Sequence, residues 1–222
     1  MSTFVLVPGA CHGAWCFDDL VTALRGHGHR ALACTLTGVG ERAHLAHGGV
    51  NLDTHIADMC GVVAAIPDDE LILVGHSYGG MVITAVADRM PGRVDAMVYL
   101  DALVPRDGES CWDLVNDEER QWYLGVDDTG YGVPPLPFFD DRASAHPLPS
   151  LLQRVTLAGD PGVRRRDFVY ALRWPGESPL RRSYERVRAN AAWRVRELDG
   201  AHNLMRDNPD DLVRILLDAA AH

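Results

Sequence analysis

A serine flanked by glycines, Gly75-His76-Ser77-Tyr78-Gly79, is where residue types and spacing first suggest covalent chemistry. A serine hydroxyl is a weak nucleophile until a neighbouring base takes its proton. The five residues alone are a weak signal, and their setting strengthens it. The apolar run Leu71-Ile72-Leu73-Val74 leads in, and a helical pattern from Met81 to Met90 leads away. A serine on so tight a strand-to-helix turn takes a strained backbone conformation, and the glycines around it let strand and helix approach closely. The amides at the helix start then face the negative charge that develops on a substrate oxygen. Ser77 is the expected nucleophile.

Its base should be a histidine in the loop after the last strand. Asp199-Gly200-Ala201-His202-Asn203 occupies that place, between a strand ending at Leu198 and the final helix. His12 and His76 adjoin the other motifs and stand near any pocket. His27, His29, His44, His47, His55 and His146 read as surface or satisfied core residues. An oxyanion needs two backbone donors. The Tyr78 amide, directly after the nucleophile, is one. The Ala10 amide, in the loop Pro8-Gly9-Ala10-Cys11-His12, is the expected second.

The elements that must position these groups alternate along the chain. Strands are expected at Phe4–Val7, His29–Cys34, Leu71–Gly75 and Val94–Leu100, with helices at Trp15–Leu24 (stopped by Gly26), at 51–65 (capped by Asn51 or Asp53) and at Gly79–Met90. Such alternation gives a mostly parallel sheet with helices on both faces, an α/β class. From about Val104 to Gly162 the rhythm fails, and Pro, Asp and aromatic residues dominate. An insertion of that length after a strand's carboxyl end reads as a functional lid. The alternation then resumes with strand Asp167–Leu172, helix Ser183–Ala189, strand Trp193–Leu198 and helix Asn208–Ala220. One domain spanning 1–222, with a cap at about 104–162, is the expected organisation.

Composition narrows the chemistry. The chain has 222 residues and a formal net charge of −10, which disfavours nucleic acid and anionic membrane as partners. An Arg-rich stretch from Arg154 to Arg196 reads as a solvated face. All 21 basic residues are arginine, so lysine Schiff bases, lysine general bases and phosphate-loop lysines are excluded. Five cysteines (Cys11, Cys16, Cys34, Cys60, Cys111) lack metal-finger spacing, and neither a leader nor a spanning segment is recognisable, so the cytoplasm is the expected compartment.

The stretch Val5-Leu6-Val7-Pro8-Gly9-Ala10-Cys11-His12-Gly13-Ala14-Trp15-Cys16 resembles the opening of the plant methylesterase and hydroxynitrile lyase family. Thr35-Leu36-Thr37-Gly38-Val39-Gly40-Glu41-Arg42-Ala43-His44-Leu45 and Leu52-Asp53-Thr54-His55-Ile56 resemble the related bacterial carboxylesterases. The resemblance covers most of the chain outside the cap. It implies the α/β-hydrolase fold and a cofactor-free, metal-free serine hydrolase acting on small, fairly apolar esters. Pro8 stands where the family usually has a histidine before the glycine, a change the amide chemistry tolerates. The lyases use a lysine after the histidine and a threonine in the opening loop. Here those places hold Asn203 and Ala10, which argues against cyanohydrin cleavage. A biosynthetic thioesterase or cyclase, and a binding protein without turnover, are the remaining alternatives.

The resemblance leaves the third triad member open. The family's acid usually follows the strand here read as Asp167–Leu172, but gapless register puts Pro175 there, with Glu177 two residues late. Asp101, at the carboxyl end of Val94–Leu100, is the rival, and some hydrolases of this fold carry the acid on that strand. Either can orient an imidazole. Asp101 is preferred.

Overall fold

The apolar runs become strands. β1 is Ser2–Val7, β2 Arg30–Ala33, β3 Glu70–Ser77, β4 Ala96–Ala102, β5 Gly132–Val133, β6 His146–Pro147, β7 Arg165–Ala171 and β8 Arg194–Leu198. They belong to a computed structural model that describes residues 1–67 and 70–221. Six of them form a parallel sheet in the order β2-β1-β3-β4-β7-β8, while β5 and β6 pair separately and antiparallel.

Every residue of β1 and β4 is buried, as strands covered on both faces require. Alternate side chains serve opposite layers. Phe4, Leu6, Ile72, Val74, Val98 and Leu100 pack with residues of α1 (Asp18–Gly26) and of the last helix, Pro209–Ala220. Val5, Val7, Leu71, Leu73, Met97 and Tyr99 pack with α2 (Leu52–Ala64) and α3 (Gly79–Arg89). The sheet is thus sandwiched, and its carboxyl edge carries the loops that matter for chemistry.

Several boundaries shift from the sequence expectation. Residues Ala14–Phe17 form a separate 3₁₀ turn, and α1 starts only at Asp18. It ends at Gly26, as expected. Gly28, at φ 83°, takes the left-handed position two residues later. Asn51 rather than Asp53 caps α2, accepting from the Thr54 amide while the Thr54 hydroxyl takes the Asn51 amide.

The segment between β4 and β7 is more ordered than its composition suggested. It holds α4 (Cys111–Leu114), α5 (Asp117–Leu124), the β5–β6 pair and α6 (Leu148–Leu152), with α4 and α5 capped by Ser110 and Asn116. Its Val133, Leu151 and Val155 join the apolar layer on the α2/α3 face. After β7 come α7 (Arg181–Arg188), α8 (Leu204–Asp207) and α9, the helix Pro209–Ala220. The Arg-rich stretch is not simply solvated. Arg165 and Arg196 both hold the fully buried Asp167, and Arg186 holds Glu109.

Candidate active site

Ser77 is the last residue of β3, at φ 52°, and α3 starts two residues on. The surrounding glycines are required by contact. A Cβ on Gly75 would lie 2.8 Å from the Gly79 carbonyl, and one on Gly79 or Gly80 would strike the carbonyl oxygens of Val7 and Leu103. The β1 loop presses on the same point, since a Cβ on Gly9 would lie 2.9 Å from the Ser77 Cβ. Ala10 and Tyr78 therefore flank Ser77, and all three border one small recess.

His202 stands beyond β8, and its Nδ1 donates to Asp101 Oδ2 at 2.7 Å. Asp101 is fully buried. Its Oδ2 also accepts from Trp174 Nε1 at 3.0 Å, and its Oδ1 from the Ala171 amide at 3.3 Å. Three donors offset the desolvation of a carboxylate that would otherwise be prohibitive to bury. The β4 register explains its reach. His76 pairs with Leu100 but Ser77 pairs with Ala102, so Asp101 is the extra residue of a bulge, at φ 41°. The indole of Trp174 also packs on the imidazole, with ring centroids 4.8 Å apart.

Glu177 goes elsewhere. It is 63% exposed on its side chain and pairs with Arg181 at 3.5 Å, bordering a separate surface depression. The structure brings Asp101 to His202 and does not bring Glu177.

Ser77 and His202 open on a cavity of about 360 Å³. Trp122, Leu136, Phe138 and Phe139 from the segment between β4 and β7 line it, with Trp174 and Leu180 opposite. Glu119 lines it too, and sequence reading missed this residue. In the acidic run Asp117-Glu118-Glu119 nothing separates it except helical phase, which places it with Trp122 and Tyr123. Burial raises its carboxyl to about 7, against the opposing pull of nearby His202 and a Tyr123 hydrogen bond. Among the described residues, no cluster of three or more His, Cys, Asp or Glu side chains could hold a metal ion, and no helix is long and apolar enough to cross a membrane.

Four more histidines surround the site. His12 lines the cavity, its Nδ1 2.7 Å from the Ala10 carbonyl, and burial lowers its basicity. His76 packs on His202 at 4.5 Å and donates from Nε2 to the His202 carbonyl at 3.1 Å. Burial, helped by His202, pushes it well below the usual histidine range. His55 and His146, expected to be surface or satisfied core residues, are fully buried and hydrogen-bonded at both ring nitrogens. His146 Nδ1 accepts from the Cys11 amide at 3.2 Å, so its Nε2 carries the proton and faces Ser150 Oγ at 2.9 Å. His55 Nε2 donates to the Thr37 carbonyl and its Nδ1 accepts from the Tyr78 hydroxyl, both at 2.8 Å. Burial brings His55 down to about 4 and His146 well below its ordinary value, consistent with two neutral rings of fixed tautomer.

A six-stranded parallel sheet, a strained serine between strand and helix, and an imidazole backed by a buried carboxylate define a class. The chain belongs to the alpha/beta hydrolase family, whose profile matches residues 4–215. Within it, the chain is similar to the carbendazim hydrolyzing esterase of Nocardioides sp. (strain SG-4G), with 37% identity over 239 positions, 97% of this chain and 98% of that one. It is 35% identical over 150 positions to methyl jasmonate esterase 1 of Vitis vinifera, 67% of this chain and 55% of the plant protein. Among solved structures, an extracellular alpha/beta-hydrolase from a Paenibacillus species matches with a TM-score of 0.80 at 22% identity, over 99% of each chain, a likeness of fold.

Proposed function

We propose that this chain is a serine hydrolase that cleaves small, fairly apolar carboxylic esters through an acyl-enzyme on Ser77. The observation that carries the reading is the 2.7 Å contact from His202 Nδ1 to Asp101, at the cavity that Ser77 also lines. Donation from Nδ1 leaves Nε2 as the acceptor for the Ser77 proton. Ser77 attacks the ester carbonyl, and the Ala10 and Tyr78 amides hold the oxyanion. His202 then protonates the leaving alcohol, and afterwards takes a proton from the water that releases the acid. Asp101 orients the imidazole and stabilises imidazolium. The esterases among the relatives support the same class of substrate.

In this reading the chain is one domain, and residues 104–162 form its cap, with Trp122, Phe138 and Phe139 excluding water from the reaction. Five free cysteines support a cytoplasmic setting. The test is a panel of short aryl and alkyl esters offered to the purified protein. Turnover blocked by a fluorophosphonate is the expected result. Absence of turnover together with absence of labelling overturns the reading.

The neutral His146 gives a further test. The Cys11 amide is committed to it, which fixes the strained Cys11 (φ 68°) and with it the adjoining Ala10 amide. His146→Leu orphans a buried donor, a loss of about 1–3 kcal/mol. It is expected to lower kcat about tenfold to a hundredfold with little change in KM. His146→Asn keeps an acceptor near the Nδ1 position and should recover most of the rate. Equal kinetics for the two variants would remove the positioning role.

A further inference from the structure

Of the donors that reach Asp101, one belongs to a residue the acyl-transfer steps leave unused. Trp174 Nε1 donates to Asp101 Oδ2 at 3.0 Å, and the same oxygen takes the His202 Nδ1–H at 2.7 Å. The indole also packs on that imidazole, with ring planes 47° apart, and His76 contacts it at 4.5 Å. His202 is thus held through Nδ1 and by two rings, while Nε2 is left for Ser77.

The chain fixes Trp174 in place. Pro175 follows it and confines its backbone to the extended region. The Leu172 amide donates to the Leu198 carbonyl at 3.0 Å, and the Arg173 amide to the Gly200 carbonyl at 2.9 Å. Arg173 adds a side-chain bond to the Asp199 carbonyl at 2.8 Å. The loop after β7 is therefore tied to the loop that carries His202. Expected to offer an acid at Glu177, it delivers instead a donor aimed at the acid of β4.

A donor draws charge from the carboxylate oxygen it meets, so two donors on one oxygen weaken each other's bonds. Without the indole N–H, Oδ2 turns its charge on His202 alone and holds imidazolium more tightly. The base then stays protonated to a higher pH and cannot act below it. We propose that Trp174 is a positioning residue of the triad: its N–H tempers the Asp101 oxygen that holds His202, and so sets the lowest pH at which the base is free. This rests on the hydrolase reading given above.

Neighbouring groups do not give the same signature. Burial favours the neutral forms of His76 and His12, and of Tyr170, which feels the Asp101 charge. Arg173 and Arg206 stay cationic and pair with Asp199 and Asp207. Glu119, raised to about 7 by burial, acts on His202 in every variant at position 174 and cancels from their comparison.

The test follows two rates from about pH 5 to 9, a span that brackets histidine titration. One is kcat/KM for phenyl acetate. The other is fluorophosphonate labelling of Ser77, which reads the same base without depending on the choice of ester. The variants are Trp174→Phe and a protein with benzothienylalanine at 174, in which sulfur replaces the N–H and the ring outline is kept. In both, the acid limb of each profile is expected to lie about one pH unit higher, the effect of one hydrogen bond to a charged group. The sulfur analogue should keep its plateau within about threefold, because the packing on His202 survives. The His202 Nδ1 proton should move downfield in its NMR spectrum as its bond to Asp101 strengthens. An acid limb that stays in place or falls in the sulfur analogue overturns the proposal, whether or not Trp174→Phe folds. That outcome with turnover intact removes only the role of Trp174. An unaltered protein with neither turnover nor labelling removes the hydrolase reading and this one with it.

Discussion

Ser77→Ala is expected to abolish ester hydrolysis, with a loss on the order of 10⁶ in kcat, the scale on which serine hydrolases depend on their nucleophile. The change deletes one oxygen from a side chain at the cavity wall and leaves Cβ in place. Alanine at φ 52° is strained as serine is, so the elbow keeps its shape and the thermal midpoint should not move. A fluorophosphonate should add to the unaltered protein at the peptide that contains Ser77, and add nothing to the variant. Label on another residue, or turnover surviving the substitution, would sink the assignment.

The acid gives the second large effect. Asp101→Asn preserves volume but presents an amide where His202 Nδ1–H and Trp174 Nε1–H both require an acceptor. The imidazole is then driven to the wrong tautomer, and imidazolium loses its counter-charge. A fall of about 10²–10⁴ in kcat is expected. Glu177→Gln should cost little, because it removes only an exposed pair with Arg181, and such pairs contribute about 0–1 kcal/mol. A crippled Glu177→Gln beside an active Asp101→Asn would reverse the choice.

Much of the architecture was legible because it is written locally. Strand runs such as Leu71–Val74 and the serine between glycines are short-range patterns, and they located the parallel sheet and the elbow. His202 was legible from its place after the last strand. The choice between Asp101 and Glu177 stayed open because it depends on a register slip between β3 and β4, where Ser77 meets Ala102 and frees Asp101. No spacing within either strand records that slip. Glu119 and His146 were hidden for a related reason. Each becomes part of the site's surroundings only when the segment between β4 and β7 packs onto the elbow, a contact across 42 residues for Glu119 and Ser77. The start of α1 was misplaced because the helical spacing runs on from Trp15, while Ala14–Phe17 makes a separate 3₁₀ turn; the helix end at Gly26 was legible, although the left-handed residue that follows is Gly28.

The positions of the left-handed residues have a consequence for anyone breeding a hardier form of this protein. Among the described non-glycine residues, positive φ occurs at Cys11, Ser77 and Asp101, beside or at the carboxyl ends of β1, β3 and β4. Each such conformation holds about 1–3 kcal/mol of strain that glycine would relieve. A library ranked by heat resistance alone will therefore enrich a glycine codon at 77 and fill with inert winners, whereas at 101 glycine would orphan the three donors that Asp101 satisfies. Ranking by residual turnover after heating avoids that trap and directs the search to places like Gly61. That residue is exposed inside α2, and a new Cβ there meets nothing within 4 Å. Gly61→Ala should gain about 1 kcal/mol from helix propensity, read as a raised melting point with unchanged kcat/KM.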